Sequence, residues 1–260
     1  MRESKVLKKI RAGQFARTCG LGHFMPFFVR YAAHNGYDCI WLDLEHRAMS
    51  VREVQSLLAL GHQFDIDIMV RPPTTERTAL YRYFEDGAAG LMIPFTSDAD
   101  IARGIVESVK FPPVGNRGID GAGLDADFGL GHFFTENSTW IEDANRETFI
   151  VGQIETPGAV ARVDEIAAVP GLDVLFIGPG DLGMRIEREA DCDLSLDGAM
   201  DAVAAAAEKH GKAWGITAGS PEMLAERRAR GAQMVPWGGD FFLTGVLQQC
   251  SAEIDAALDE

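Results

Sequence analysis

Lysine is scarce in this chain, with six among 260 residues. Lys5, Lys8 and Lys9 lie ahead of the first predicted strand, Lys110 closes a helical segment, and Lys209 and Lys212 flank the start of a strand rather than its exit. None is placed to meet a carbonyl substrate at a strand exit, which leaves no lysine for Schiff-base chemistry there. Cysteine is sparse too. Cys19, Cys39, Cys192 and Cys250 form no Cys-x-x-Cys pair, which argues against a zinc knuckle or disulfide frame and suits reduced thiols. Positive charge is in deficit. With 39 acids against 24 bases the formal net charge is −15, which disfavours nucleic acid or an anionic membrane surface as partner. No apolar run approaches the roughly 18 residues of a membrane span. The start, Met1-Arg-Glu-Ser-Lys-Val-Leu-Lys-Lys-Ile10, lacks the apolar core of a signal peptide. The expectation is a cytoplasmic protein without nucleic-acid or membrane partners.

Apolar residues make up 47% of the chain, enough for one large core at this length. Short apolar runs that end in polar, Gly or Pro residues predict strands near 14–18, 38–43, 67–71, 90–94, 149–155, 173–177, 212–216 and 232–236. Helical spacing fills most of the intervals: Ser50 to Gly61, Thr75 to Glu85, Ser97 to Lys110, Pro157 to Val169 and Pro221 to Gly231. Eight such alternations in about 250 residues predict an α/β fold of the (β/α)8 TIM-barrel type, one domain over 1–260. A doubly wound open sheet is the alternative.

Two acids close consecutive strand-like runs. Glu155 ends Phe149-Ile-Val-Gly-Gln-Ile-Glu155, and Asp181 follows Leu172-Asp-Val-Leu-Phe-Ile-Gly178. Parallel strands joined by a helix bring both ends to one edge of the sheet. Two carboxylates there suit a hard divalent cation that keeps waters or substrate oxygens. Gln153 precedes Glu155 by two positions and points from the same strand face. Gly178-Pro179-Gly180-Asp181-Leu182 leaves backbone N–H groups bare at the start of a predicted helix, a nest for a carboxylate. Taken singly, Asp181 has a plainer use as an N-cap. With Glu155 and Gln153 beside it, a site is favoured.

Trp41-Leu-Asp43-Leu-Glu45-His46 ends the second strand. Asp43 is near enough in sequence to hold one imidazole nitrogen of His46 while the other faces the cavity, as in an oriented base. The competing arrangement is a turn in which Asp43 caps the helix beginning near Ser50 and His46 is solvated. Glu45 reads equally as a supporting acceptor or an exposed side chain. Arg71 follows Ile68-Met-Val70 and precedes Pro72-Pro73, which stop the strand. Its planar fork suits a carboxylate or oxyanion, with a surface salt bridge as the other use.

Two segments break the rhythm. From Pro112 to Gly131 the chain is rich in glycine, with Phe128, His132, Phe133 and Phe134 close by. Such a loop is functional or disordered, and its aromatics favour a loop folded over the strand exits. From Asp240 to Glu260, Phe241, Phe242, Leu243, Val246, Leu247, Ile254 and Leu258 recur at helical spacing. That helix either closes its own barrel or packs on a neighbouring subunit.

Six segments taken in order, Asp43-Leu-Glu-His46, Val70-Arg-Pro-Pro73, Gly87-Ala-Ala-Gly-Leu-Met-Ile-Pro94, Pro112-Pro-Val-Gly-Asn-Arg-Gly118, Gln153-Ile-Glu-Thr156 and Phe176-Ile-Gly-Pro-Gly-Asp-Leu182, resemble the HpcH/HpaI aldolase family. That family includes 4-hydroxy-2-oxoheptanedioate aldolase and 2-keto-3-deoxy-sugar-acid aldolases. The likeness spans roughly residues 14 to 245, and the ordered set is specific where a single segment is not.

The resemblance implies a (β/α)8 barrel in which Glu155 and Asp181 bind Mg²⁺, Mn²⁺ or Co²⁺. Pyruvate would chelate that ion, its carboxylate touching backbone amides near Gly180 and Asp181, with Gln153 helping to place it. Arg71 would stabilise the enolate oxygen, and His46, oriented by Asp43, would serve in proton transfer, through a metal-bound water. Homohexamers with swapped terminal helices are also implied, together with an acid from a neighbouring subunit. Glu85 matches that position, where the family more often has aspartate. Arg47 departs from the small residue common after the histidine, and Leu21, His23 and Phe24 occupy the loop that lines the aldehyde end.

The implied reaction is reversible cleavage of a 4-hydroxy-2-oxo acid to pyruvate, or a close 2-oxo acid, and an aldehyde. Its enolate would gain directly from a cation and a guanidinium. Two further readings stand beside it. A CoA-ester lyase of the malyl or citryl type is opposed by the short chain and the lack of a basic face for nucleotide phosphates. A non-catalytic barrel that binds 2-oxo acids is opposed by the presence of base, arginine and both acids.

Overall fold

A computed structural model describes residues 1–130, 133, 135–189 and 192–258. Gly131, His132 and Phe134 of the glycine-rich loop, and Asp259 and Glu260 of the tail, lie outside the described residues. Seven parallel strands form one sheet in sequence order: Thr18–Leu21 (β1), Cys39–Asp43 (β2), Asp67–Arg71 (β3), Gly90–Ile93 (β4), Phe149–Ile154 (β5), Val174–Ile177 (β6) and Ala213–Ile216 (β7). Most strand residues are buried on both faces, which is why their sequences read as unbroken apolar runs.

The crossover helices begin where short polar side chains cap them. Ser50 and Glu53 form a reciprocal capping box, Asp98, Ser195 and Ser220 each accept an N–H of the first turn, and Thr156 does so ahead of Pro157. One strand face packs under these helices. The other meets a smaller inner core that includes Cys39, Met69, Met92, Phe149, Val151, Val174, Phe176, Ala213 and Met234. The helix Lys5–Arg11 closes the N-terminal end of that core with Val6, Leu7 and Ile10. It is anchored by Asp67, which accepts from Ser4 Oγ (2.7 Å) and the Val6 N–H (2.9 Å). No helix among the described residues is long and apolar enough to cross a membrane.

Three expectations are corrected here. The sheet has seven strands rather than eight, because residues 232–236 make only isolated parallel bridges, Met234 with both Ala16 and Gly215, followed by Gly239 with Gly20. Pro236 lacks an N–H, and Gly238 and Gly239 turn the backbone out of strand geometry at φ 90° and 147°. The first strand starts at Thr18, not near residue 14. Lastly, the described part of the 112–131 loop does not fold over the strand exits. Ala126 joins Phe111, Trp140 and Ala144 in a satellite core, and the buried pair Arg117–Asp125 (2.7 Å) pins the segment there.

The tail is the helix Leu243–Ala257, and none of its residues is buried. All four cysteines are free thiols. Lys110 Nζ bonds to the Asn145 and Thr148 carbonyls, and Lys212 Nζ to the Leu172 carbonyl, all ahead of strand starts.

Candidate active site

Side-chain alternation sets what reaches the strand exits. On β2, β3 and β5 the inward series run Cys39-Trp41-Asp43, Asp67-Met69-Arg71 and Phe149-Val151-Gln153, and the last continues to Glu155. Asp43 and Arg71 are register partners. Arg71 Nε donates to Asp43 Oδ1 at 3.0 Å, and Nη2 lies 2.9 Å from Oδ2. Nη1 pairs with Glu45 Oε2 at 3.1 Å, and the guanidinium rests 4.8 Å from the Trp41 ring centroid. Two carboxylates and an indole thus hold one planar cation that is 11% exposed. Burial would push the Asp43 carboxyl up, but Arg71 and the amides of the following turn outweigh it, and the group is held below its ordinary value.

Asp43 does not hold the His46 imidazole. Its Oδ1 accepts the backbone N–H groups of Glu45 (3.1 Å) and His46 (3.4 Å), so it shapes the turn that carries the histidine. The side chain beside the imidazole is Glu45, with Oε2 3.6 Å from Nε2. His46 itself is exposed, its side chain 58% accessible.

Glu155 is 3% exposed. One oxygen, Oε2, accepts the Phe95 N–H at 2.8 Å. Phe95 supplies it from a left-handed backbone, φ 49°, a conformation that costs a non-glycine residue energy. Gly178 makes room on the other side, since a Cβ there would stand 2.4 Å from Glu155 Oε1. Burial pushes the Glu155 carboxyl up. The Phe95 N–H opposes that, the charges of Glu45 and Asp181 add to it, Arg71 works against it, and the net shift is upward.

Asp181 lies in the first turn of the helix Pro179–Arg188, 3.7 Å from Arg185. The Gly180 and Asp181 N–H groups have no acceptor within that helix. Gln153 is 2% exposed, and its Oε1 has no hydrogen-bond partner among the described residues. Buried carboxylate, neighbouring acids and an orphaned carbonyl oxygen form the kind of donor set that a hard divalent cation accepts. Among the described residues no three His, Cys, Asp or Glu side chains converge into a closed metal cluster.

Glu85 stands apart. It ends the helix Arg77–Glu85 and lines a separate cavity with Asp86, Asp120 and Gly123. Burial raises its carboxyl against the pull of Arg117, and Asp125, Asp120 and Asp86 reinforce the rise.

A family model described as HpcH/HpaI aldolase/citrate lyase matches residues 21–244. The chain belongs to that family. It is 30% identical over 242 residues to a hydroxypyruvate/pyruvate aldolase of Roseovarius nubinhibens, covering 91% of this chain and 88% of the other. A 2-dehydro-3,6-dideoxy-6-sulfogluconate aldolase of Pseudomonas putida is 32% identical over 202 residues, 75% of each chain. The crystal structure of an HpcH/HpaI aldolase from Desulfitobacterium hafniense superposes with a TM-score of 0.85 at 31% identity, covering 97% of this chain and 96% of that one. The protein is accordingly a carbon–carbon lyase.

Among the residues that the sequence left ambiguous or passed over, Glu45 now sits between Arg71 and His46. Phe95 was missed altogether. Its contribution is a backbone N–H, and nothing in residue identity announces that.

Proposed function

We propose that this aldolase cleaves 4-hydroxy-2-oxo acids reversibly to pyruvate, or a close 2-oxo acid, and an aldehyde. The observation that carries the reading is Arg71, clamped by Asp43 and Glu45 and close enough to Glu155 to act on its ionisation. A guanidinium fixed in this way presents the rest of its five N–H donors to an oxyanion without reorganising. Glu155 and Asp181 would hold Mg²⁺, Mn²⁺ or Co²⁺, which when bound supplies Lewis-acid stabilisation of the developing enolate. The free amides of Gly180 and Asp181 receive the substrate carboxylate, and Gln153 orients the 2-oxo group. His46 takes the C4 hydroxyl proton, with the Glu45 carboxylate 3.6 Å from its Nε2.

The same reading takes the fold as a single-domain (β/α)8 barrel, with residues 232–236 as its eighth stave; the bridges of Met234 to both Ala16 and Gly215 support it. It takes the assembly as a homohexamer. The support is the helix Leu243–Ala257, which buries none of its residues while Leu243, Val246, Leu247 and Ile254 stay exposed. Glu85 would then serve the site of a neighbouring subunit, because it is remote from its own. A reducing compartment, the cytoplasm, suits the free thiols. The aldolase names of the relatives favour neither a CoA-ester lyase nor a non-catalytic binding barrel.

A retro-aldol screen tests the proposal. A small panel of 4-hydroxy-2-oxo acids is offered with Mg²⁺, Mn²⁺ or Co²⁺, and pyruvate is detected. Metal-dependent release from at least one member is expected, and no release from any would contradict the reading.

A further inference from the structure

Arg185 brings a further cation to the strand exits. It leaves the helix Pro179–Arg188 one turn after Asp181, and long helical side chains lean towards the N-terminal end of their helix. The guanidinium thus returns to the end that carries the Gly180 and Asp181 amides. Its Nη2 lies 3.7 Å from Asp181 Oδ1, and its centre sits 5.4 Å from the Phe95 ring centroid.

These contacts place Arg185 without using up its donors. A separation of 3.7 Å is beyond hydrogen-bond range, and Nε is buried with no hydrogen-bond partner among the described residues. Stacking on an aromatic face orients a guanidinium and leaves its in-plane N–H groups free. Arg71 is the contrast, because Asp43 and Glu45 engage its Nε, Nη1 and Nη2. The platform under Arg185 is itself fixed, since the Phe95 N–H holds Glu155 Oε2 at 2.8 Å. Arg185 therefore faces one proposed metal ligand and rests on the residue that holds the other. Its side chain is 31% exposed, so a ligand can reach it from the rim.

We propose that Arg185 binds the carboxylate of the 2-oxo acid and shares Asp181 with the divalent cation, so that metal and 2-oxo acid bind cooperatively. The inference rests on the aldolase reading and its metal site. The Gly180 and Asp181 amides offer the carboxylate only the partial charge of a helix N-terminus, and Arg185 adds a full charge on a planar fork. Towards the metal it acts in the opposite sense. A guanidinium and a divalent cation draw on the one Asp181 carboxylate and repel each other, so each weakens the other's hold. An anion that meets both relieves that repulsion, which couples the two binding steps.

Calorimetry reads both halves, with Mn²⁺ as the cation and oxalate as the anion. In Arg185→Ala, Mn²⁺ should bind about threefold more tightly, the scale of a part-exposed ion pair. Oxalate on the Mn²⁺-loaded protein should bind about tenfold or more weakly, the scale of one hydrogen bond to a charged group. Opposite changes of this kind separate the role from structural damage, which would lower both affinities. Arg185→Lys keeps the charge and should return Mn²⁺ affinity to within about twofold of wild type. Affinities that fall together, or a lysine variant that matches the alanine one, overturn the proposal. Wild-type protein that takes up no Mn²⁺ sinks the metal site and the proposal with it. Mn²⁺ and oxalate bound alike by wild type and Arg185→Ala sink the role of Arg185 alone.

Discussion

Asp43 and Arg71 face each other in register across β2 and β3, and the arginine meets both carboxylate oxygens, at 3.0 and 2.9 Å. Both ends of the pair come from strands rather than loops, so its geometry is fixed by the sheet ladder itself. An oxyanion donor that must not reorganise during the reaction is best built in this way.

Arg71→Lys keeps the charge and loses the fork. With three donors, a lysine cannot keep both contacts to Asp43, the one to Glu45 and one to a substrate oxygen at once, so turnover should fall about a hundredfold or more, the scale for one lost oxyanion donor. Steady-state kinetics on any cleaved 4-hydroxy-2-oxo acid reads this. A rate near wild type would place Arg71 in a structural role.

Asp43 carries a pH dependence. Its folded-state carboxyl is held below the ordinary value, so its contribution to stability is present above about pH 4 and is lost as pH falls through the lowered value. Denaturant unfolding of wild type and Asp43→Asn should show a gap at pH 7 that narrows towards about pH 3. A gap that stays constant or widens on acidification would contradict the assignment.

For His46→Ala the loss should fall on carbon–carbon cleavage. Decarboxylation of oxaloacetate also passes through the pyruvate enolate but needs no hydroxyl deprotonation, so it should survive better. Parallel assays on one preparation compare the two. Equal loss of both would remove His46 from the role of base.

Gly178→Ala probes the cradle around Glu155. The added Cβ would lie 2.4 Å from Glu155 Oε1, while the Phe95 N–H holds the other oxygen, so the carboxylate must leave its place. Binding of Mn²⁺, read by calorimetry, should weaken about tenfold or more. The melting temperature should stay within a few degrees, roughly the shift that 1 kcal/mol produces. Unchanged affinity would mean that Glu155 is no ligand.

Much of this was legible in the sequence because strand ends are legible. Asp43, Arg71 and Gln153 stand at or next to the ends of short apolar runs, Glu155 and Asp181 just beyond them, and parallel pairing does the rest. Partner choice was not legible. Register turns the Asp43 carboxylate towards Arg71, while His46, three residues on and off the strand, meets Glu45. The eighth strand dissolved into bridges because Pro236 and the glycines after it read as a strand's end and act as its replacement. The glycine-rich loop was pulled outward by Arg117 and Asp125, a pairing eight residues apart that periodicity does not encode.

The central claim is that the enolate is stabilised by a cation and Arg71 rather than by a lysine. Lys110 and Lys212 donate to carbonyls ahead of strand starts, and Lys209 pairs with Asp164. None of them is free for a Schiff base at the strand exits. The measurement is treatment with borohydride in the presence of pyruvate, followed by mass spectrometry, alongside activity in chelator and after metal is restored. The account predicts an unmodified, active protein whose activity vanishes in chelator and returns with Mg²⁺, Mn²⁺ or Co²⁺. A pyruvyl-lysine adduct, with activity that persists in chelator, would contradict it.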